Sequence, residues 1–152
     1  MYEFMEQKSE SSMRTIKFRG KYTETGEWRY GYYARLSNEF KEWHCIMTEK
    51  DASENYIKDC NGFHMQYTPV VPSTVGQFTG LCDKNGKEIY EGDIIVHASG
   101  SSIMYIVEWH NAELVGKQIG SSSYAGISYW IDVTEVIGNI HDNPNLLKGG
   151  QK

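Results

Sequence analysis

The chain has 152 residues, a net charge of −5, and a composition that is 39% hydrophobic and 13% aromatic. That length fits one ordinary domain or two small ones. The acidic balance argues against tight non-specific binding to nucleic acid or to an anionic membrane, since both need a positive field. Cys45, Cys60 and Cys82 are widely and irregularly spaced. They do not form a disulfide framework and read as reduced thiols of a cytoplasmic protein.

Residues 1–12 lack both a basic n-region and an apolar h-region, so they read as a mobile extension or tag rather than a signal peptide. No apolar run reaches the roughly 20 residues of a membrane span. Arg14 to Gly20 alternates, with Ile16 and Phe18 on one side. Trp28 to Leu36 alternates too, and the two runs pair as a hairpin. Lys17, Arg19, Arg29, Tyr33 and Arg35 are then expected on one shared face. Basic residues interleaved with a ring suit a nucleic acid, with cations for phosphates and a π-face for stacking. The alternative is a solvated sheet face whose arginine stems cover Tyr33.

Trp43 to Met47 and Tyr56 to Lys58 read as short strands, Thr48 to Glu54 as a loop, and Asp59 to Gly62 as a turn. Phe63 to Val71 is a strand in which Pro69 marks an edge or a bulge. From Thr74 to Val96 the text is TVGQFTGLCDKNGKEIYEGDIIV. It reads as a β-hairpin that leads into a small barrel, the hinge between two β regions. Asn85-Gly86 supplies the turn. Gly92 supplies an unusual backbone angle, and Asp93 accepts backbone N–H bonds.

Beyond it, Ile103 to Trp109 is a strand and Asn111 to Ser123 a long polar loop. Ile127 to Val133 alternates as a strand, Glu135 to Ile140 is the last strand, and Asn143-Pro144 caps one helical turn. The sum is an all-β protein with at most short helical turns. An irregular N-terminal β region occupies 13–73, an SH3-like small barrel 74–148, and a tail 149–152.

Chemistry-bearing constellations are sparse. An EF-hand loop counted from Asp83 puts Ile94 at its twelfth position, where a bidentate Glu belongs. His44, Cys45, Cys60, His64 and Cys82 include no C-x-x-C pair, so no metal is expected. There is no G-x-S-x-G elbow and no Gly-rich loop opening a helix, and a dyad of Cys82 with a distant His has no specific support. Glu88, Glu91 and Asp93 read as solubilising or turn carboxylates. The expectation is a protein with no enzymatic activity and no cofactor.

Aromatics are in surplus. Trp28, Tyr30, Tyr32, Trp109, Tyr129 and Trp130 exceed the needs of a small core, and Tyr33 and Trp130 fall on second faces. Two readings stand: a protein-binding or self-association patch, or a two-part β protein with both sheet faces partly covered.

The central block, with MRTIKFRG before it and EVIGNIHDNPNLL after it, resembles the YopX family of phage and prophage proteins. The resemblance covers most of residues 13–148. It implies the irregular β region and the SH3-like barrel, and an origin in a phage or prophage within a bacterial host. It implies no reaction. The partners expected are a second copy of the chain or a phage or host protein, with nucleic acid on the basic face as the alternative and no membrane.

Overall fold

The computed structural model describes residues 15–48, 56–58, 64–97 and 100–148, with side chains outside 56–58 and 64–66. The expected extension 1–12, the tail 149–152, most of the Thr48–Glu54 loop, the Asp59–Gly62 turn and Cys60 lie outside the described residues.

The chain is all-β, in two antiparallel sheets. The first contains β1 (Phe18–Lys21), β2 (Trp28–Ser37), β3 (Glu42–Thr48), β4 (Tyr56–Lys58), β5 (His64–Pro69), β6 (Gly76–Cys82) and β7 (Glu88–Tyr90). Their spatial order is β4-β5-β3-β2-β1-β6-β7. The second contains β8 (Asp93–Val96), β9 (Met104–His110), β10 (Glu113–Gln118), β11 (Tyr124–Gly126) and β12 (Glu135–Asn139). Their order is β11-β10-β9-β8-β12. Short 3-10 segments span Pro72–Thr74, Ile127–Val133 and Pro144–Lys148.

The crossing between sheets falls inside the central block. β6 and β7 form a hairpin, and β6 pairs with β1 in the first sheet. β8 starts the second. Glu91-Gly92 makes the crossing: Gly92 has φ +84°, donates its N–H to Val107 O at 2.8 Å and accepts from Ile140 N at 2.9 Å. A left-handed residue bonded on both sides in this way favours glycine.

One core cluster joins the two sheets. Ile95, Val107, Ile127 and Val136 are buried together with Ile89 of β7, and Leu81 of β6 packs against them. Tyr90, the next residue along β7, is buried with its ring 5.4 Å from Phe78 on the other face. The alternation of a strand thus lets β7 turn Ile89 into this cluster and Tyr90 to the opposite face. Among the described residues no pairing joins β11 to β12, so the five-stranded sheet is open.

Three expected elements differ. The first strand is shorter than Arg14–Gly20, and its polar side is the covered one: Arg19 is 5% exposed and Ile16 56%. The expected loop 111–123 holds β10, which pairs with β9 through a turn at Asn111 and Ala112, both with positive φ. The expected strand Ile127–Val133 is a 3-10 segment. Its alternation arises because Ile127 and Ile131 reach the core from a helical turn, not from a pleat.

Candidate interaction surfaces

The β1–β2 register decides the fate of the expected basic face. Arg19 pairs with Tyr30 and Gly20 with Arg29, and residues opposite one another share a face. Lys17 and Arg19 therefore lie on the side of Trp28 and Tyr30, while Arg29, Tyr33 and Arg35 lie on the other. The five residues do not form one surface. Each cation also holds an acid: Lys17–Glu88 at 2.8 Å, Arg19–Asp93 at 2.6 Å, Arg29–Glu27 at 3.0 Å and Arg35–Glu42 at 3.2 Å.

Arg19 is the centre of a buried junction. Its guanidinium carbon sits 4.5 Å from the Trp28 ring centroid and 5.0 Å from that of Tyr90. Nη2 also donates to Glu91 O at 3.2 Å. Asp93 Oδ2 accepts the Tyr90 N–H at 2.8 Å. Burial pushes the Asp93 carboxyl up, Arg19 and that N–H pull it back, and it stays above the usual carboxylate range. Nearby, Asp142 pairs with Lys21 and accepts from Trp28 Nε1 at 2.7 Å. Burial raises the Asp142 carboxyl, but Lys21, Asn139 and Trp28 outweigh it and hold it well below its ordinary value. These contacts tie β1, β8 and the C-terminal turn together.

The central turn is a second pin. Asp83 is buried. Its Oδ1 accepts from Asn85 N at 2.8 Å and Lys87 N at 3.0 Å, and its Oδ2 accepts from Val136 N at 3.0 Å. Burial raises its carboxyl, the three N–H donors and the Lys87 charge outweigh that, and the net direction is down. Gly86 takes the positive φ of the turn, and Asn85 is not among the positive-φ residues. The turn is thus a bulged relative of the two-residue hairpin loop. One carboxylate shapes it and fastens it to β12 in the other sheet.

The aromatic surplus surfaces at several places, since Tyr30, Tyr32, Phe40, Trp109 and Tyr124 are exposed as well, but two neighbouring rings stand out together. In the Ile127–Val133 segment Tyr129 is 89% exposed, Trp130 51% and Val133 45%. This ridge is held from below. Trp130 stacks on His97 at 5.5 Å, and His97 lies 4.4 Å from the Tyr105 ring. Thr134 Oγ1 donates to Trp130 O at 2.8 Å and stands 3.3 Å from His97 Nδ1. Burial lowers the His97 imidazole. A shallow groove of about 670 Å³ lies apart from the ridge, lined by Ile106, Glu108, Lys117, Tyr124, Leu147 and the 118–122 loop.

Register alone also assembles a group that sequence reasoning did not join. Arg35 pairs with His44 across β2–β3. Tyr33 Oη lies 2.5 Å from His44 Nδ1, and His44 Nε2 lies 3.2 Å from Glu42 Oε1. Among the described residues no three His, Cys, Asp or Glu side chains are placed to hold a metal. Cys45 is buried, which pushes its thiol up, and Cys82 is exposed.

The family model of the YopX protein matches residues 17–148. No curated protein matches the chain. Among solved structures, protein EF1440 from Enterococcus faecalis is similar, with a TM-score of 0.51 and 22% identity, covering 89% of this chain and 99% of that one. At that identity the likeness concerns the fold alone.

Proposed function

Taking as premise that the chain belongs to the YopX family, we propose that it is a non-catalytic phage or prophage protein of the bacterial cytoplasm that works by self-assembly through the Tyr129–Trp130 ridge. The observation that carries this reading is the pairing of high exposure with firm support. Tyr129 and Trp130 project from a segment whose Ile127 is buried in the core cluster. Rigid aromatics lose little entropy on association and are the residue types that dominate binding hot spots. The occupant favoured is a second copy of the same ridge, because a twofold contact of a patch with itself is the commonest closed assembly. Light scattering across micromolar concentrations tests it: a mass that rises to a dimer or larger closed form is expected, and a strict monomer throughout would refute it. Among the described residues no helix is long and apolar enough to cross a membrane.

Nucleic-acid binding is the second reading. Arg29, Tyr33 and Arg35 do share a face, but the loss of Lys17 and Arg19 from it and the acid partners leave little net positive field. Gel shifts at low salt test it. Weak binding left unchanged by Arg29→Ala and Arg35→Ala would exclude this face.

A further inference from the structure

We propose that Tyr33 is an activated phenol, a modification site that accepts an acyl or phosphoryl group from an anhydride donor with His44 taking its proton. The case starts from β2–β3 pairing, which sets Tyr33, His44 and Glu42 in a row on one sheet face. Glu42 Oε1 stands 3.2 Å from His44 Nε2, which places the imidazole proton on Nε2. The lone pair is then on Nδ1, and Tyr33 Oη donates to it at 2.5 Å. Glu42 is itself held by Arg35 Nε at 3.2 Å on its other oxygen. A hydroxyl, a base within hydrogen-bond reach and a third group orienting that base are the parts of an activated nucleophile. The Phe18 ring, 5.6 Å from that of Tyr33, restricts the phenol from the side.

The step balances within these residues and the donor. Tyr33 Oη attacks the carbonyl carbon or the phosphorus, and a new O–C or O–P bond forms. The anhydride bond breaks, and its electron pair leaves with the departing carboxylate or phosphate. The phenolic proton passes to His44 Nδ1, and the resulting imidazolium is balanced by Glu42. Glu42 and Arg35 are positioning residues. The site is proposed as an acceptor of one group and needs no turnover.

Acetyl phosphate is a suitable probe, because it offers an acyl and a phosphoryl centre in one molecule. Adducts are located by peptide mass spectrometry on the full chain. Tyr129, at 89% exposure, serves as the reference phenol inside the same molecules. Tyr33 is expected to react at least about tenfold faster than Tyr129, a modest part of what a placed base supplies. Either adduct supports the proposal, and its mass identifies the centre attacked. His44→Ala should bring Tyr33 to or below the Tyr129 rate. Glu42→Gln should lower it several-fold, and Glu42→Asp should recover part of the loss. A purely structural cross-strand bond predicts no rate advantage. Tyr33 reacting no faster than Tyr129, or a ratio unmoved by His44→Ala, would overturn the proposal. A variant that fails to fold reveals itself by altered labelling at Tyr90, which is buried in the folded chain. Monomeric behaviour in light scattering would leave this result intact, since the ridge belongs to the 3-10 segment Ile127–Val133 and Tyr33 to strand β2.

Discussion

The two buried pins, the Arg19–Asp93 junction and the Asp83 turn, and the ridge at Tyr129–Trp130 are opposites. The pins are charged residues, the usual marks of a site, yet they are buried: Arg19 and Asp93 pair with each other, and Asp83 is taken up by three backbone N–H groups. The ridge is made of the residues a core wants, yet it stands in solvent. The difference teaches that residue type alone misleads in this protein, and that the satisfaction of each group is the better guide. A carboxylate with three N–H donors is structural; a supported but uncovered indole is where a test for contact belongs.

That contrast is most easily broken at Arg19. Arg19→Met leaves Asp93 buried without its cation, and should cost about 3–5 kcal/mol in denaturant unfolding. The double variant Arg19→Met with Asp93→Leu should recover most of that loss, because a buried pair adds little beyond its own desolvation. A single variant as stable as the parent would show that the junction is not structural.

Asp83→Ala comes next. It strips the acceptor from Val136 N, Asn85 N and Lys87 N, the first of them in a buried bond. A loss of about 2–3 kcal/mol is expected, the cost of leaving buried donors unmade. Thermal unfolding would measure it.

The pH dependence sharpens the account by sign. Asp83 and Asp142 have folded values below their ordinary ones. Their stabilisation is present above the unfolded carboxylate range and is lost as pH falls through the folded values. Asp93 is raised, so its contribution is fully present below the unfolded value and falls as pH rises through the folded one. Asp142→Asn should therefore flatten the acid limb of the stability curve, and Asp93→Asn should not. Unfolding titrations between acid and neutral pH would separate the two.

The smallest effect lies at Ala112, which has φ +67° in the β9–β10 turn. Ala112→Gly relieves that strain and should stabilise the fold by about 1 kcal/mol, readable as a higher midpoint of unfolding.

Much of the fold was legible in the sequence, and the exceptions have physical reasons. The all-β class, the Asn85-Gly86 turn and the β1–β2 hairpin followed from alternation and turn chemistry. β10 was hidden because its turn uses Asn-Ala, where a Gly is the usual signal. The segment at 127–133 was hidden because apolar residues at alternate positions fit a pleat as well as a tight helical turn. The basic face was misread for a deeper reason. Alternation says which residues of one strand share a side, but the register across a hairpin says which sides meet, and the polar Thr23–Glu27 turn left that register open. The same ignorance concealed the row of Tyr33, His44 and Glu42. Trp130 was visible as a surplus aromatic, though its support by His97 and Thr134 belongs to tertiary structure.

The most direct test of the contrast is the double variant Tyr129→Ser with Trp130→Ser, examined by thermal unfolding and light scattering on the same sample. The account predicts a small change in stability, since both side chains are largely exposed, together with loss of the higher-mass species. A variant that unfolds while the parent stays folded, or one that assembles as the parent does, would contradict it.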